Sequence, residues 1–76
     1  MIRPTPVPHP VIDLAREKLE AKSDAVLARM LGKEPSLISR VRNRQRPMSA
    51  DLILAIHEST EIPVQKIKAM LGGPFG

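Results

Sequence analysis

The chain contains no cysteine, tryptophan or tyrosine, and Phe75 is its only aromatic residue. Without cysteine it can form neither a disulfide nor a thiolate metal site, a composition consistent with a reducing cytosol. With one aromatic residue it must build its core from aliphatic side chains, and it lacks the rings on which single-stranded nucleic acids stack. No apolar run approaches the roughly 20 residues that span a bilayer. We therefore expect a cytoplasmic protein that does not associate with membranes.

Residues that could carry catalysis are also scarce. His9 and His57 are the only histidines, and the acidic residues show no pairing beyond ordinary helix-surface charge. No glycine-rich loop of the kind that cradles phosphate is present. We predict that the chain is not an enzyme and uses neither a cofactor nor a metal. His9 is expected to cap a helix or face solvent, and His57 to pack partly buried.

The 76 residues suffice for one domain with a core just large enough to fold independently. Prolines stand at every second position from Pro4 to Pro10, which predicts a stiff, extended arm over residues 1–9. Two interpretations of this arm stay open. It is either a contact to DNA or to a partner, with Arg3 as its only charged side chain, or an ordinary chain terminus. The domain is expected over residues 10–72, followed by a short tail at 73–76.

Apolar spacing predicts an all-α fold with five helices and no strand. Ser23 and Ser49 are expected to cap the second and fourth helices, because serine hydroxyls accept hydrogen bonds from first-turn amides. Gly72 and Gly73 should end the last helix. The predicted helices cover approximately residues 10–21, 24–31, 35–42, 50–59 and 63–71.

The most informative segment is residues 24–43. Its apolar residues have the spacing of two short helices that pack across a tight corner. Gly32 stands where the chain leaves the first helix, a position that usually requires φ > 0. Pro35 suits the first turn of the second helix, where its missing N–H is not needed. This pattern is typical of a helix-turn-helix, whose second helix enters the DNA major groove.

Positive charge is concentrated in the same segment. The chain has a net charge of +4, but between Arg29 and Met48 there are six basic residues and only one acidic residue. Alternate positions lie about 200° apart on a helix, so the alternating arginines at 40, 42, 44 and 46 cannot share one helical face. We expect the last two in a loop after the second helix. The charge predicts a phosphate-binding patch; the alternative is a solvated surface that keeps the chain soluble.

Residues 10–72 resemble the lambda-repressor-like (Cro/cI-type) DNA-binding domain. The matching positions are Leu27-Ala28, Leu31-Gly32, Ser36, Ile38-Ser39 and Asn43, followed by a basic loop and the polar cap Ser49. The resemblance implies a compact five-helix fold and a sequence-specific regulator that binds double-stranded DNA. It further implies a repressor of phage or mobile-element type, which acts as a homodimer by occluding its operator. The alternative is an antitoxin or adaptor whose main role is to bind a protein partner.

The resemblance also implies roles for individual positions. The candidates for base contacts are Glu34, Ser36, Leu37, Ser39 and Arg40. The candidates for phosphate contacts are Lys33, Arg42, Asn43, Arg44 and Arg46. Val26, Met30 and Leu54 are either part of a protein interface or apolar surface that is scattered or covered by the proline-rich arm. Met70, Leu71 and Phe75 exceed what one side of a small core requires and suggest a dimer surface.

Several positions depart from the family pattern. Asp24 and Pro35 stand where the family often has glutamine, so two customary DNA contacts are missing. Arg44 stands where glycine is common, and either Asn43 or Arg44 must therefore adopt the left-handed turn geometry. Thr60 and Glu61 replace an apolar residue and a glycine, which weakens the expected end of the fourth helix.

Overall fold

Five helices make up most of the folded part of the chain. The structure, a computed structural model, describes residues 8–72. The helices are α1 (Pro10–Leu19), α2 (Asp24–Leu31), α3 (Pro35–Arg42), α4 (Ala50–Thr60) and α5 (Val64–Leu71). No strand occurs within residues 8–72, so the prediction of an all-α fold is confirmed over that range. Most of the predicted arm and the whole predicted tail, including Arg3 and Phe75, lie outside the described residues.

Three helices begin at the side-chain caps that the sequence predicts. The backbone N–H of Val26 donates to Ser23 Oγ, and that of Leu52 donates to Ser49 Oγ, both at 3.2 Å. At the start of α1, the N–H of Ile12 donates to Nδ1 of His9 at 3.4 Å. Each contact satisfies an amide that has no partner inside its own helix. These caps fix where α1, α2 and α4 start.

Helix α1 ends two residues earlier than predicted because Glu20 adopts a left-handed conformation with φ 54°. The chain then turns back, and Arg16 holds it in place. The guanidinium of Arg16 donates to the carbonyl of Ala21 at 3.3 Å and to that of Lys22 at 2.8 Å. This turn brings the start of α2 against α1.

Side chains close the connection between α4 and α5. Thr60 Oγ1 donates to the carbonyl of Ile56 at 2.6 Å and accepts from the N–H of Ile62 at 3.2 Å. Nδ1 of His57 lies 2.7 Å from the carbonyl oxygen of Ile62. Thr60 thus closes the end of α4 through its hydroxyl group. His57 is half-buried, in agreement with its predicted packing role.

The core is aliphatic, as predicted. Ile12, Leu27, Leu52 and Ile67 are all fully buried and come from four different helices. Helix α3 joins this core through Ile38 and Val41 and packs most extensively against α2, where the small Ala28 is also fully buried. Because its support comes mainly from α2, α3 leaves its opposite face exposed.

We predict that Glu61→Gly stabilises the protein by about 1 kcal/mol, because left-handed backbone costs a non-glycine residue roughly 1–2 kcal/mol. Glu61 ends α4 with φ 62° and is exposed. Glu58→Gly, an exposed change inside the same helix, should instead destabilise by about 1 kcal/mol. Urea unfolding followed by circular dichroism measures both. Equal destabilisation by the two changes would contradict the strain at Glu61.

Candidate nucleic-acid interface

The exposed side of α3 carries most of the predicted base contacts. Ile38 and Val41 anchor the helix in the core, and Ser36, Ser39 and Arg40 are exposed. Glu34, the residue that precedes the helix, is also exposed, and its side chain makes no capping hydrogen bond. Leu37 differs from the others because it is half-buried and packs against the core. The exposed groups along this helix and at its start are therefore one carboxylate, two hydroxyls and one guanidinium.

The loop after α3 folds back on the helix end. The N–H groups of Gln45 and Arg46 both donate to the carbonyl of Arg40, at 2.9 and 3.3 Å. Asn43 Nδ2 donates to the carbonyl of Ser39 at 2.9 Å. Arg44 takes the left-handed conformation with φ 62°, while Asn43 has φ −83°. Of the two residues that the sequence left open, Arg44 therefore adopts the left-handed turn geometry, and Arg44 and Arg46 are both exposed.

Arg42 is a correction to the predicted phosphate contacts. Its side chain is only 6% exposed and lies between two carboxylates. Nε donates to Asp24 Oδ2 at 2.6 Å, and Nη2 donates to Asp13 Oδ1 at 2.7 Å and to Asp24 Oδ1 at 3.0 Å. The prediction was wrong because it considered the positive charge of Arg42 but not the carboxylates of Asp13 and Asp24 that bind it. Arg42 connects α3 to α1 and α2 instead of facing outward.

A signal for this placement is present in the sequence. Arg42 follows the buried Ile38 by four residues, so both lie on the same face of α3. The carboxylate at Asp24 is the departure from the family pattern noted above, and it also receives Arg16 Nη1 at 3.3 Å. Sequence reasoning missed Asp13 and Asp24 as partners. Through their bonds to Arg42, Asp13 and Asp24 connect α1 and α2 to α3, on the side opposite the exposed face of α3.

The ion pair between Asp13 and Arg42 shifts the pKa of both groups. Burial by itself would lower the pKa of Arg42, but hydrogen bonds with Asp24 and Asp13 raise it above its ordinary value. Burial would likewise raise the pKa of Asp13, yet the Arg42 hydrogen bond and the N–H of His9 lower it. Both shifts favour the charged forms of Asp13 and Arg42.

Lys33, another predicted phosphate contact, lies in the turn between α2 and α3. Its ammonium forms an ion pair with the carboxylate of Asp51 at the start of α4. The Asp51 side chain is 77% exposed, and exposed pairs of this kind contribute at most about 1 kcal/mol. Lys33 therefore precedes the exposed residues of α3 in the chain, and the carboxylate of Asp51 neutralises part of its charge.

Of the predicted protein-interface residues that lie within residues 8–72, only two are strongly exposed. Met30 and Leu54 are 50% and 49% exposed. Leu71 is buried, so its assignment to a surface is corrected, whereas Val26 and Met70 are partly buried against the core. Their apolar character serves the core of this small domain. Leu54 lines a groove of about 240 Å³ with Ile53 and Val64.

The buried cap of α1 gives the protein a pH dependence. Burial, Arg44 and Arg42 lower the pKa of His9 below 6.5, against a smaller opposing effect of Asp13. The unfolded chain thus binds a proton at a pH where the folded protein does not, and stability must fall as pH decreases below 6.5. We expect urea midpoints to decline between pH 7 and 5.5 in the natural protein. His9→Asn, which keeps a capping acceptor, should remove this decline; an unchanged decline would contradict the role of His9.

We call the exposed polar and basic residues of α3 and the loop after it the α3 surface: Ser36, Ser39, Arg40, Arg44 and Arg46. Within residues 8–72 no group of side chains could hold a metal ion, and no helix is long and apolar enough to cross a membrane. Comparisons with protein families, curated proteins and solved structures found no match to this chain.

Proposed function

We propose that this protein is a regulator that binds double-stranded DNA sequence-specifically, with α3 in the major groove. The observation that carries the proposal is the placement of α3. One side is fixed by Ile38, Val41 and the ion pairs of Arg42, while the other presents hydroxyls and a guanidinium. A short turn joins α3 to α2, as in a helix-turn-helix. We include the lambda-repressor-like fold in this proposal, supported by the order of the five helices.

The chemistry of each exposed side chain suggests a role at the DNA. Arg40 can donate two hydrogen bonds to O6 and N7 of guanine, the most common specific contact in the major groove. The hydroxyl groups of Ser36 and Ser39 can either accept or donate a hydrogen bond, so they distinguish between bases less sharply than Arg40 does. The carboxylate of Glu34 can accept a hydrogen bond from the amino group of cytosine. Leu37 offers an apolar contact to the methyl group of thymine. These residues would determine which sequence is bound.

A second set of side chains would bind the backbone irrespective of sequence. Arg44 and Arg46 are exposed immediately after α3, and Asn43 is held against the helix end. Contacts from such a loop set the register of the helix in the groove without reading bases. Lys33 would add a weaker contact. The division between α3 and the loop therefore separates specificity from general affinity.

We further propose that the protein acts as a homodimeric repressor of phage or mobile-element type, by occluding its operator. Two copies would present their α3 helices about one DNA turn apart, which matches an operator with inverted half-sites. The groove beside Leu54 is the surface that supports this contact.

Selection from a pool of random duplexes tests the proposal. The pool is bound by the full chain, recovered and sequenced over several rounds, with Arg40→Ala as a parallel control. We expect an enriched motif with half-sites centred about 10 base pairs apart. Failure of the natural protein to enrich any motif would contradict sequence-specific binding.

We predict that Leu54→Glu abolishes the dimer, because it would place a carboxylate in a self-contact built on an exposed leucine. Met30→Glu is the matched control, since Met30 is equally exposed but lies on α2. Sedimentation equilibrium at tens of micromolar gives the result: a dimer for the natural chain and the control, and a monomer for Leu54→Glu. A monomeric natural chain would contradict the dimer.

The alternative function, an antitoxin or adaptor that binds another protein, is favoured by Met30. This side chain is 50% exposed on α2 and does not line the groove beside Leu54. Methionine adapts its shape to irregular partners. Recovery of one partner at equal stoichiometry, lost with Met30→Glu, would support this function over regulation by DNA binding alone.

A further inference from the structure

A small cavity lies between the start of α1 and the loop that follows α3. Its volume is about 170 Å³, several times the roughly 30 Å³ that one water occupies in the liquid. Val41, Met48 and Leu71 supply its apolar wall, and its polar groups come from His9, Arg44 and Arg46. Among residues 8–72, no acidic residue lines it. The cavity is therefore a positively charged recess beside the proposed DNA-binding surface.

The geometry of His9 fixes its hydrogen-bonding state. Nδ1 accepts from the N–H of Ile12 and therefore carries no proton, so the neutral ring is protonated at Nε2. Burial and the positive charges of Arg44 and Arg42 lower the pKa of His9 below 6.5, which keeps the ring neutral at pH 7. His9 is only 2% exposed, and Nε2–H is the donor that remains on its ring.

No described residue binds Nε2. Within residues 8–72, no side-chain nitrogen or oxygen is both fully buried and without a hydrogen-bond partner. Nε2 must therefore retain contact with accessible space, and the cavity is the space that His9 lines. The donor is thus available to a ligand that enters the cavity.

The two arginines of the cavity are not neutralised by carboxylates of the described residues. Arg44 Nη2 donates to the carbonyl of Pro8 at 3.4 Å, and Arg46 forms no ion pair within residues 8–72. Two guanidiniums and one neutral N–H donor on a shared recess favour an anion with several acceptor oxygens. A carboxylate would use two acceptors, whereas a phosphate group offers oxygens in several directions.

We propose that this cavity binds one phosphate group, with Nε2–H of His9 and the guanidiniums of Arg44 and Arg46 donating to its oxygens. The inference rests on the proposed function, since its ligand is then a backbone phosphate of the bound DNA. Inorganic phosphate carries the same chemistry and serves as the probe of the site. His9, the residue that caps the start of α1, would extend the backbone contacts beyond the α3 surface.

Nuclear magnetic resonance of the full chain tests the site without DNA. Inorganic phosphate is added at pH 7 and constant ionic strength, while the ring signals of His9 and His57 are followed. We expect a saturable shift at His9 alone, with the dissociation constant raised about tenfold in Arg46→Gln. Arg29→Gln removes an exposed arginine that does not line the cavity, and it should leave the constant unchanged. Absence of a saturable His9 shift would overturn the site.

Duplex binding then distinguishes the two sources of phosphate. His9→Asn keeps an acceptor for the N–H of Ile12, but its shorter side chain cannot place a donor where Nε2–H of the ring meets the cavity. It should weaken binding to a selected duplex and to a random duplex by the same factor, about fivefold. If inorganic phosphate saturates the cavity but His9→Asn leaves duplex binding unchanged, the DNA backbone is excluded as the ligand. If no duplex is bound specifically but the His9 shift persists, the proposed function fails while the phosphate site stands.

Discussion

Arg42→Ala is expected to lower the free energy of unfolding by about 2–3 kcal/mol, a large effect for a domain of this size. The change removes a guanidinium that is 6% exposed and leaves two carboxylates that it had bound. Asp24, whose side chain is 25% exposed, loses its shortest contact, and Asp13 loses its ion pair with α3. The loss should include both the broken pairs and the packing of the aliphatic part of Arg42.

The size of this effect follows from the exposure of the partners. Removing one member of a fully buried pair costs about 3–5 kcal/mol. The carboxylate of Asp13 is 51% exposed and regains water when Arg42 is removed, so that part of the penalty is reduced. Asp24 is less accessible and remains close to Arg16, which compensates only in part.

Urea unfolding at pH 7 measures the effect, with Arg46→Ala as the control. Arg46 is exposed and unpaired within residues 8–72, so its removal should change stability by no more than about 0.5 kcal/mol. A double-mutant cycle with Asp24→Asn should give a coupling of about 1–3 kcal/mol. A stability change at Arg42 as small as that of the control would show that the network does not hold the three helices together.

The second large effect concerns Arg40. Arg40→Ala should weaken binding to the selected duplex by about 10- to 100-fold and leave binding to random DNA nearly unchanged. The loss corresponds to one bidentate contact with guanine, worth roughly 1–3 kcal/mol of discrimination. Arg40 is exposed on α3, so its guanidinium is accessible to a base edge.

Arg46→Gln is the matched comparison for Arg40→Ala. Because it removes a backbone contact, it should weaken binding to all duplexes alike and reduce the slope of log affinity against log salt by about 1. Fluorescence anisotropy at two salt concentrations gives both quantities. Equal losses on selected and random DNA for the Arg40 variant would remove its base-specific role.

Much of the fold could be predicted because its signals are local. Ser23, Ser49 and Gly32 mark helix ends by hydrogen bonding and by positive φ, properties of a residue and its near neighbours. The early end of α1 could not be predicted in this way. It depends on Arg16, whose guanidinium binds carbonyls five and six residues further along the chain.

The candidate site was predicted less completely. Exposure of Ser36, Ser39 and Arg40 follows from the helical period once Ile38 and Val41 are assigned to the core. Arg42 was misassigned because its partners are 18 and 29 residues away in sequence. The cavity at His9 is similarly non-local, since it exists only where the start of α1 meets the loop after α3.

Sequence-specific recognition by α3 is tested most directly by the ratio of dissociation constants for a selected duplex and a random duplex. Both are measured on the full chain at two salt concentrations. We predict binding to the selected duplex at least about a hundredfold tighter, with the preference retained at the higher salt. Equal binding to both duplexes, with a steep loss of affinity at higher salt, would contradict the account and leave only general attraction to phosphate.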